Sequence, residues 1–326
     1  KGYENNFIFD NLRYTVGVGG IHSKNDPEII IPKEDEMLID IDVASLYPSM
    51  LIEYGFYPKH LGPEFLEVYS QIKDERIEAK HNGNKVKNET LKLALNGLSG
   101  NLQNEQLVQI GCRIVQANTD GLSVLLKKSV YEEANKICRE WEQLTRLTLE
   151  EDRFEAMYQF AINDYIAIKE GYKETKDSKL IKKKGMFITD VLLGKGLNPK
   201  IIPEAVIKYF ADGIPVKDTI MNCKDIRKFL QAEKTGKQWT VEYNGEIQQR
   251  VNRFYVSTDG LYLWKWKSEN GIKEYQSMLK GYGVTIHNKF TPDKPIEDYN
   301  INYHYYILQA TKIINQLKPQ QLSLWD

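Results

Sequence analysis

The chain has 326 residues, 41% hydrophobic and 11% aromatic, with a formal net charge of −1. That length suffices for two or three packed domains, and the composition excludes a disordered or low-complexity polypeptide. No run approaches the ~18 uncharged apolar residues of a membrane span, and Lys1-Gly-Tyr-Glu-Asn-Asn6 lacks a basic-then-apolar leader pattern, so a cytoplasmic protein with no membrane partner is expected. Cys112, Cys138 and Cys223 show no C-x-x-C spacing and read as reduced thiols.

Residues 7–41 alternate short β-like runs with turn residues. They lead into Met37-Leu-Ile-Asp-Ile-Asp42, where period-two alternation puts Ile39 and Ile41 on one face and Asp40 and Asp42 on the other. Pro48 follows in a turn suited to entering a helix. Residues 64–80 have helical spacing and residues 81–84 break it. A second helix is expected from Asn88 to about Leu102, completing an antiparallel helical hairpin. In that second helix Leu91, Leu95, Leu98 and Leu102 form one stripe and Lys92, Asn96 and Ser99 a neighbouring polar one. Gly97 and Gly100 inside it cost about 1 kcal/mol each relative to Ala, which suits a close approach by a packing helix or a ligand.

Gln116–Leu126 reads as two apolar strand-like runs around a single acid, Asp120. A carboxylate there either caps a turn or holds a metal. Residues 130–147 form an amphipathic helix with Ile137, Trp141 and Leu144 on one side, and residues 154–190 return to strands. From Tyr165 to Lys200 nine lysines face four acids, a local net of +5 that suits phosphate contacts or, equally, a solvated strand pair. Helices are expected at 204–212 and 300–317, the last apolar at Tyr303, Tyr306, Ile307, Ala310, Ile314 and Leu317.

Two strands that each end in an Asp, with a Lys-, Arg- and Asn-rich helical hairpin between them, suit a site where divalent cations hold a polyphosphate. Two carboxylates can bridge two Mg²⁺ ions roughly 3.5–4 Å apart, and phosphoryl transfer then needs mostly positioning and charge.

Asp42-Val-Ala-Ser-Leu-Tyr-Pro-Ser49 resembles motif A of family B DNA polymerases, the D-x-x-S-L-Y-P-S block of the palm. Lys92-Leu-Ala-Leu-Asn96-Gly-Leu-Ser-Gly100 resembles their motif B, K-x-x-x-N-S-x-Y-G, and Asn118-Thr-Asp-Gly121 resembles motif C, usually D-T-D-S. The three lie in the family's order. Lys182-Lys-Lys-Gly185 and Asn198-Pro-Lys-Ile-Ile-Pro-Glu204 are similar to the bacteriophage branch.

The resemblance implies an α+β polymerase right hand: an antiparallel-sheet palm, short helical-hairpin fingers and a mixed or helical thumb. The implied divisions are palm at 1–63 and 103–200, fingers at 64–102, thumb at 201–319 and a tail at 320–326. It makes Asp42 and Asp120 the catalytic pair, holding two Mg²⁺ ions (Mn²⁺ able to substitute) with the Val43 carbonyl as a backbone ligand, and leaves Asp40 a bystander. Backbone N–H groups around Ser45 and Leu46 would cradle the nucleotide's phosphates. Tyr47 would lie beneath the sugar, and Arg76, Lys80, Lys92 and Asn96 would meet the triphosphate.

The implied DNA contacts are Gly19 and Gly20, similar to a Y-x-G-G block with Gly17 in the tyrosine's place, together with Thr119, Lys182 and Lys184. Asn118 departs from the first Asp of motif C and Ser99 from the motif B tyrosine. The interval from Gly100 to Asn118 is shorter than the family's. With 41 residues ahead of Asp42, a core without the family's exonuclease domain is expected. Too little separates Asp42 from Lys92 for the insertion of protein-primed members.

Pro319-Gln-Gln-Leu-Ser-Leu-Trp-Asp326 resembles the Q-L-x-L-F peptide that holds a sliding clamp, through Gln321, Leu322, Leu324 and Trp325. The expected activity is template-directed extension of a primer in phage DNA by deoxynucleoside triphosphates, in the cytoplasm of an infected bacterium. The alternative is a catalytically impaired remnant that binds primer-template DNA. A reverse transcriptase is the more distant alternative, since its motif C would carry adjacent aspartates.

Overall fold

Alternation along Glu36–Val43 sets the first half of the fold, because each side of that strand buries a different set of partners. The computed structural model describes residues 4–9, 11–17, 20–56, 62–84, 107, 109–119, 121–189, 198–269, 272–289 and 294–317. The chain is mixed α+β with antiparallel pairing, and it divides into two units, 1–182 and 183–326.

In the first unit, strands β1 (Glu4–Phe9), β2 (Leu12–Gly17) and β3 (Gly20–Lys24) form a meander. After β4 (Glu28–Ile30) and β5 (Glu36–Val43) come helices α1 (Leu46–Glu53) and α2 (Glu64–His81). Then follow β6 (Arg113–Ala117), β7 (Gly121–Lys127), α3 (Tyr131–Thr145), β8 (Leu149–Ala161) and β9 (Asp164–Lys169). The unit boundary falls within β10 (Ile181–Lys184). These build one sheet in the order β10-β9-β8-β5-β7-β6, with β4 on the far half of β8.

Ile39 and Ile41 of β5 pack with Ile114, Leu122, Val124 and Leu126 beneath Ala134 of α3. On the opposite face Leu38 packs with Ile30, Val115, Phe154, Met157 and Tyr165. That second face is apolar at one end and acidic at the other, where Asp40 and Asp42 stand. Leu144 departs from expectation: it is 75% exposed. The helix stops at Thr145, Arg146 turns left-handed at φ 58°, and Leu147 takes the buried place beside Trp141, Val43 and Leu46.

The second unit holds α4 (Ile201–Asp212), α5 (Val216–Met221) and α6 (Tyr303–Asn315), which pack on one another. Gly213, at φ 68°, ends α4 by donating its N–H to the Tyr209 carbonyl. The expected helical character covers these elements only. Residues 231–286 are largely strand: β11 (Gln231–Lys234), β12 (Thr240–Tyr243), β13 (Glu246–Gln248), β14 (Val251–Leu261), β15 (Leu263–Glu269), β16 (Ile272–Ser277) and β17 (Val284–Ile286). They form sheets β11-β14-β17 and β13-β12-β15-β16.

Tyr306 ties the sheet to the helices. Its hydroxyl accepts from the Val256 N–H at 2.8 Å and donates to the Phe229 carbonyl at 3.0 Å, with both side chains fully buried. Tyr306→Phe keeps the ring and strands both backbone groups, so it is expected to cost about 1–3 kcal/mol in chemical denaturation. Unchanged stability would contradict this account of the second core.

Candidate active site

Asp42 stands near the end of β5, opposite Gly121 of β7 and Glu150 of β8. A Cβ at Gly121 would fall on the Asp42 carboxylate and 2.7 Å from the Ile41 carbonyl oxygen. A glycine inside a strand marks such an approach, and here it gives a carboxylate its seat. The Asn118 N–H donates to the Gly121 carbonyl at 2.8 Å, closing the turn that contains Asp120 in sequence. Asp120 itself lies outside the described residues. Asn118 Oδ1 is buried without a hydrogen-bond partner among the described residues.

From Asp42 the chain passes through Val43, buried at the last rung of the β5–β8 ladder, into the start of α1. Ser45 adopts a left-handed conformation there, φ 51° and ψ 55°, a strain of roughly 1–2 kcal/mol for a residue with a Cβ. The turn is held by the Ala44 N–H on the Thr148 carbonyl at 2.8 Å and the Ser49 hydroxyl on the Ala44 carbonyl at 2.8 Å. The first intrahelical bond runs from the Ser49 N–H to the Ser45 carbonyl. The N–H groups of Leu46 and Tyr47 therefore precede the helical ladder, and the positive end of the helix dipole lies with them.

Helix α2 brings two cations to this end of the sheet. Arg76 Nη1 donates to Ser45 Oγ at 2.8 Å, while its Nε is buried with no partner among the described residues. One turn on, Lys80 Nζ lies 2.5 Å from Glu150, the residue opposite Asp42.

Asp40, which the motif resemblance leaves outside the metal pair, is 7% exposed and has both oxygens engaged. Ser123 donates its hydroxyl to Asp40 Oδ1 at 2.6 Å, and Lys182 Nζ lies 2.5 Å from Oδ2. The same ammonium is 3.9 Å from Asp152, which is paired with Lys169 at 2.6 Å. Burial works against the Lys182 charge, but the Asp40 carboxylate, Tyr165 and Asp42 outweigh it and hold its proton more tightly than in an ordinary lysine. The neighbouring Tyr165 phenol is pushed up to about 12, chiefly by burial, with Asp40 and Asp42 adding to the effect against Lys182. Removing one partner of such a buried pair typically costs about 3–5 kcal/mol.

The structure thus gathers Asp42, Val43, Ser45, Leu46, Arg76 and Lys80 around one end of the sheet, where the backbone of Tyr47 also lies. Lys182, expected to track a DNA strand, has its ammonium committed to Asp40. Thr119 is buried and donates to the Ile21 carbonyl at 3.2 Å; Gly20 opens β3 and Lys184 closes β10. Gly19, Lys92, Asn96, Asp120, Gln321, Leu322, Leu324 and Trp325 lie outside the described residues. Gly121, quoted only within the motif C resemblance, and Lys169, counted only in the basic run, had no individual role from sequence, and Ser123, Glu150 and Asp152 carried no sequence signal.

Among the described residues no three His, Cys, Asp or Glu side chains converge as a metal cage. The donors present at the site are oxygens: the Asp42 carboxylate seated over Gly121, and Asn118 Oδ1, which has no hydrogen-bond partner among the described residues. Oxygens of this kind fit a hard divalent cation such as Mg²⁺. No helix among the described residues is long and apolar enough to cross a membrane.

No family model matches the chain, and no curated protein matches it. Among solved structures it is similar to the family B DNA polymerase from the hyperthermophilic archaeon Pyrobaculum calidifontis, with a TM-score of 0.44 and 10% identity. The similarity covers 100% of this chain and 49% of that one, so the chain spans about half the length of that polymerase.

Proposed function

We propose that the chain is a polymerase core that extends a primer 3′-hydroxyl with deoxynucleoside triphosphates, directed by a DNA template and releasing pyrophosphate. The observation that carries this reading is the seating of Asp42 over Gly121, beside a helix start that Arg76 approaches. One carboxylate, N–H groups that precede the helical ladder and a guanidinium at one sheet end suit a triphosphate. The order of the three motifs adds the DNA specificity, and the phage-like segments add a role in phage replication.

Asp42 and Asp120, with the Val43 carbonyl, would hold two Mg²⁺ ions, which when bound lower the charge on the phosphates and the pKa of the attacking hydroxyl. The N–H groups of Leu46 and Tyr47 would bind phosphate oxygens at the positive end of α1. Arg76 would exchange its Ser45 contact for a phosphate oxygen, which also gives its unpartnered Nε an acceptor. Lys80 would leave Glu150 for the same group, with Lys92 and Asn96 completing the clamp. Tyr47 would close the sugar side against a 2′-hydroxyl.

Arg76→Ala is expected to raise the nucleotide KM by about tenfold or more, the loss of a charge-assisted hydrogen bond, with a smaller change in kcat. Single-nucleotide incorporation kinetics measure this, and an unchanged KM would remove Arg76 from the clamp. The departure at Asn118 favours the second reading, a remnant that binds primer-template without extending it. Primer extension with Mg²⁺ separates the two, since the remnant would shift the duplex in a gel and leave its length unchanged.

A further inference from the structure

Lys80 is held by a carboxylate that the proposed chemistry gives no part. Its ammonium lies 2.5 Å from Glu150, with the lysine side chain 49% and the glutamate side chain 41% exposed. Nothing local dictates that pairing. At helical spacing Lys80 has Arg76 and Ile77 before it and Gly83 and Asn84 after it, none of them an acid. Glu150 is 70 positions away in sequence. In the ladder Glu150 stands opposite Asp42, another carboxylate, so β5 offers it no cation there. Lys169 of β9 and Lys182 of β10 pair instead with Asp152 and Asp40. The ion pair adds little to the fold, because α2 packs on α1 with Tyr69 and Ala79 buried, and pairs this exposed contribute little to stability. What the pair decides is where the Lys80 ammonium rests.

We infer that Glu150 is a positioning residue for the nucleotide: its carboxylate stands in for a phosphate oxygen, holding Lys80 at the sheet end while no nucleotide is bound and competing with the triphosphate for it. The inference rests on the reading of Lys80 as a phosphate contact. Arg76, one turn earlier, is parked in a comparable way on Ser45 Oγ at 2.8 Å, but that acceptor is a neutral hydroxyl, a weaker partner than a phosphate oxygen. Glu150 offers Lys80 a carboxylate, so a triphosphate that takes the ammonium must first displace an anion. The contact keeps a flexible arm at the site and sets back the affinity for nucleotide by the strength of the pair that has to break. Glu150 acts through Lys80 alone.

The test is equilibrium binding of a fluorescently labelled deoxynucleoside triphosphate, with Mg²⁺, to the whole chain on a primer-template whose primer ends in a dideoxynucleotide. Anisotropy reads the affinity without turnover. Glu150→Gln keeps the shape of the side chain and is expected to tighten binding about two- to fivefold, the scale of an exposed ion pair. Lys80→Gln weakens binding, and adding Glu150→Gln to it changes nothing further, because the carboxylate then has no ammonium to hold. Unchanged or weaker binding in Glu150→Gln would overturn the inference. So would an equal gain with and without Lys80, which would make Glu150 a source of plain repulsion. Wild-type affinity in Lys80→Gln would instead overturn the phosphate contact beneath it, and no binding by the wild-type chain would overturn the nucleotide site itself.

Discussion

Asp42→Asn is expected to lower primer extension by roughly 10³-fold or more, the scale of losing a ligand shared by the metal ions. The same substitution should move the unfolding midpoint by less than about 2 °C, equivalent to about 1 kcal/mol or less in a chain of this size. The two effects separate because Asp42 is only partly buried and belongs to neither apolar cluster of the sheet. The amide keeps the shape of the side chain and loses its charge. Extension kinetics alongside a melting curve make the measurement, and a variant that extends primers at the wild-type rate would remove Asp42 from the chemistry.

Gly121→Val should come next in effect. Its Cβ would meet the Asp42 carboxylate and the Ile41 carbonyl oxygen, and the second of these cannot swing aside because it belongs to the ladder between β5 and β7. Either the carboxylate is displaced or the two strands part. A displacement of about 1 Å at a reacting centre can cost about 10²-fold in rate, and overpacking of this kind about 1–3 kcal/mol in stability. Gly121→Ala adds only the Cβ and should reproduce most of the loss in rate with less loss of stability. An alanine variant as active as wild type would mean that the seat of Asp42 tolerates a side chain.

The central strand was legible because its pattern is local: Ile39 and Ile41 alternate with Asp40 and Asp42, and the two faces found different partners as that alternation requires. The start of α1 was legible for the same reason, from Pro48 in the first turn. What the sequence concealed is pairing across distance. Lys182 is 142 positions from Asp40, and no local pattern says which lysine of a basic run turns inward. A signal was present nonetheless: two carboxylates on one face of a buried strand call for a cation. Gly121, a glycine opening an apolar strand, was a second sign of close approach.

In the second unit the alternation Leu263-Trp-Lys-Trp-Lys267 has the period of a strand, yet its place depends on cross-strand neighbours. Trp266 faces Tyr275 of β16 across the ladder, and Lys273 lies 4.0 Å from the Trp266 ring centroid. Short strands of mixed polarity carry little pattern of their own, which is why the strands of 231–286 did not stand out within a thumb expected to be mixed or helical. Helix α6 was read on the correct face at Tyr306, Ala310 and Ile314, and Tyr305 beside them is buried as well, against Tyr282.

The most direct test of the central claim is single-nucleotide incorporation by the wild-type chain on four primer-templates that differ only in the first unpaired template base, with Mg²⁺ and each deoxynucleoside triphosphate in turn. The account predicts one-nucleotide extension by the complementary nucleotide on each template, with pyrophosphate released in equal amount and both lost in Asp42→Asn. No extension on any template, or extension that ignores the template base, would contradict it.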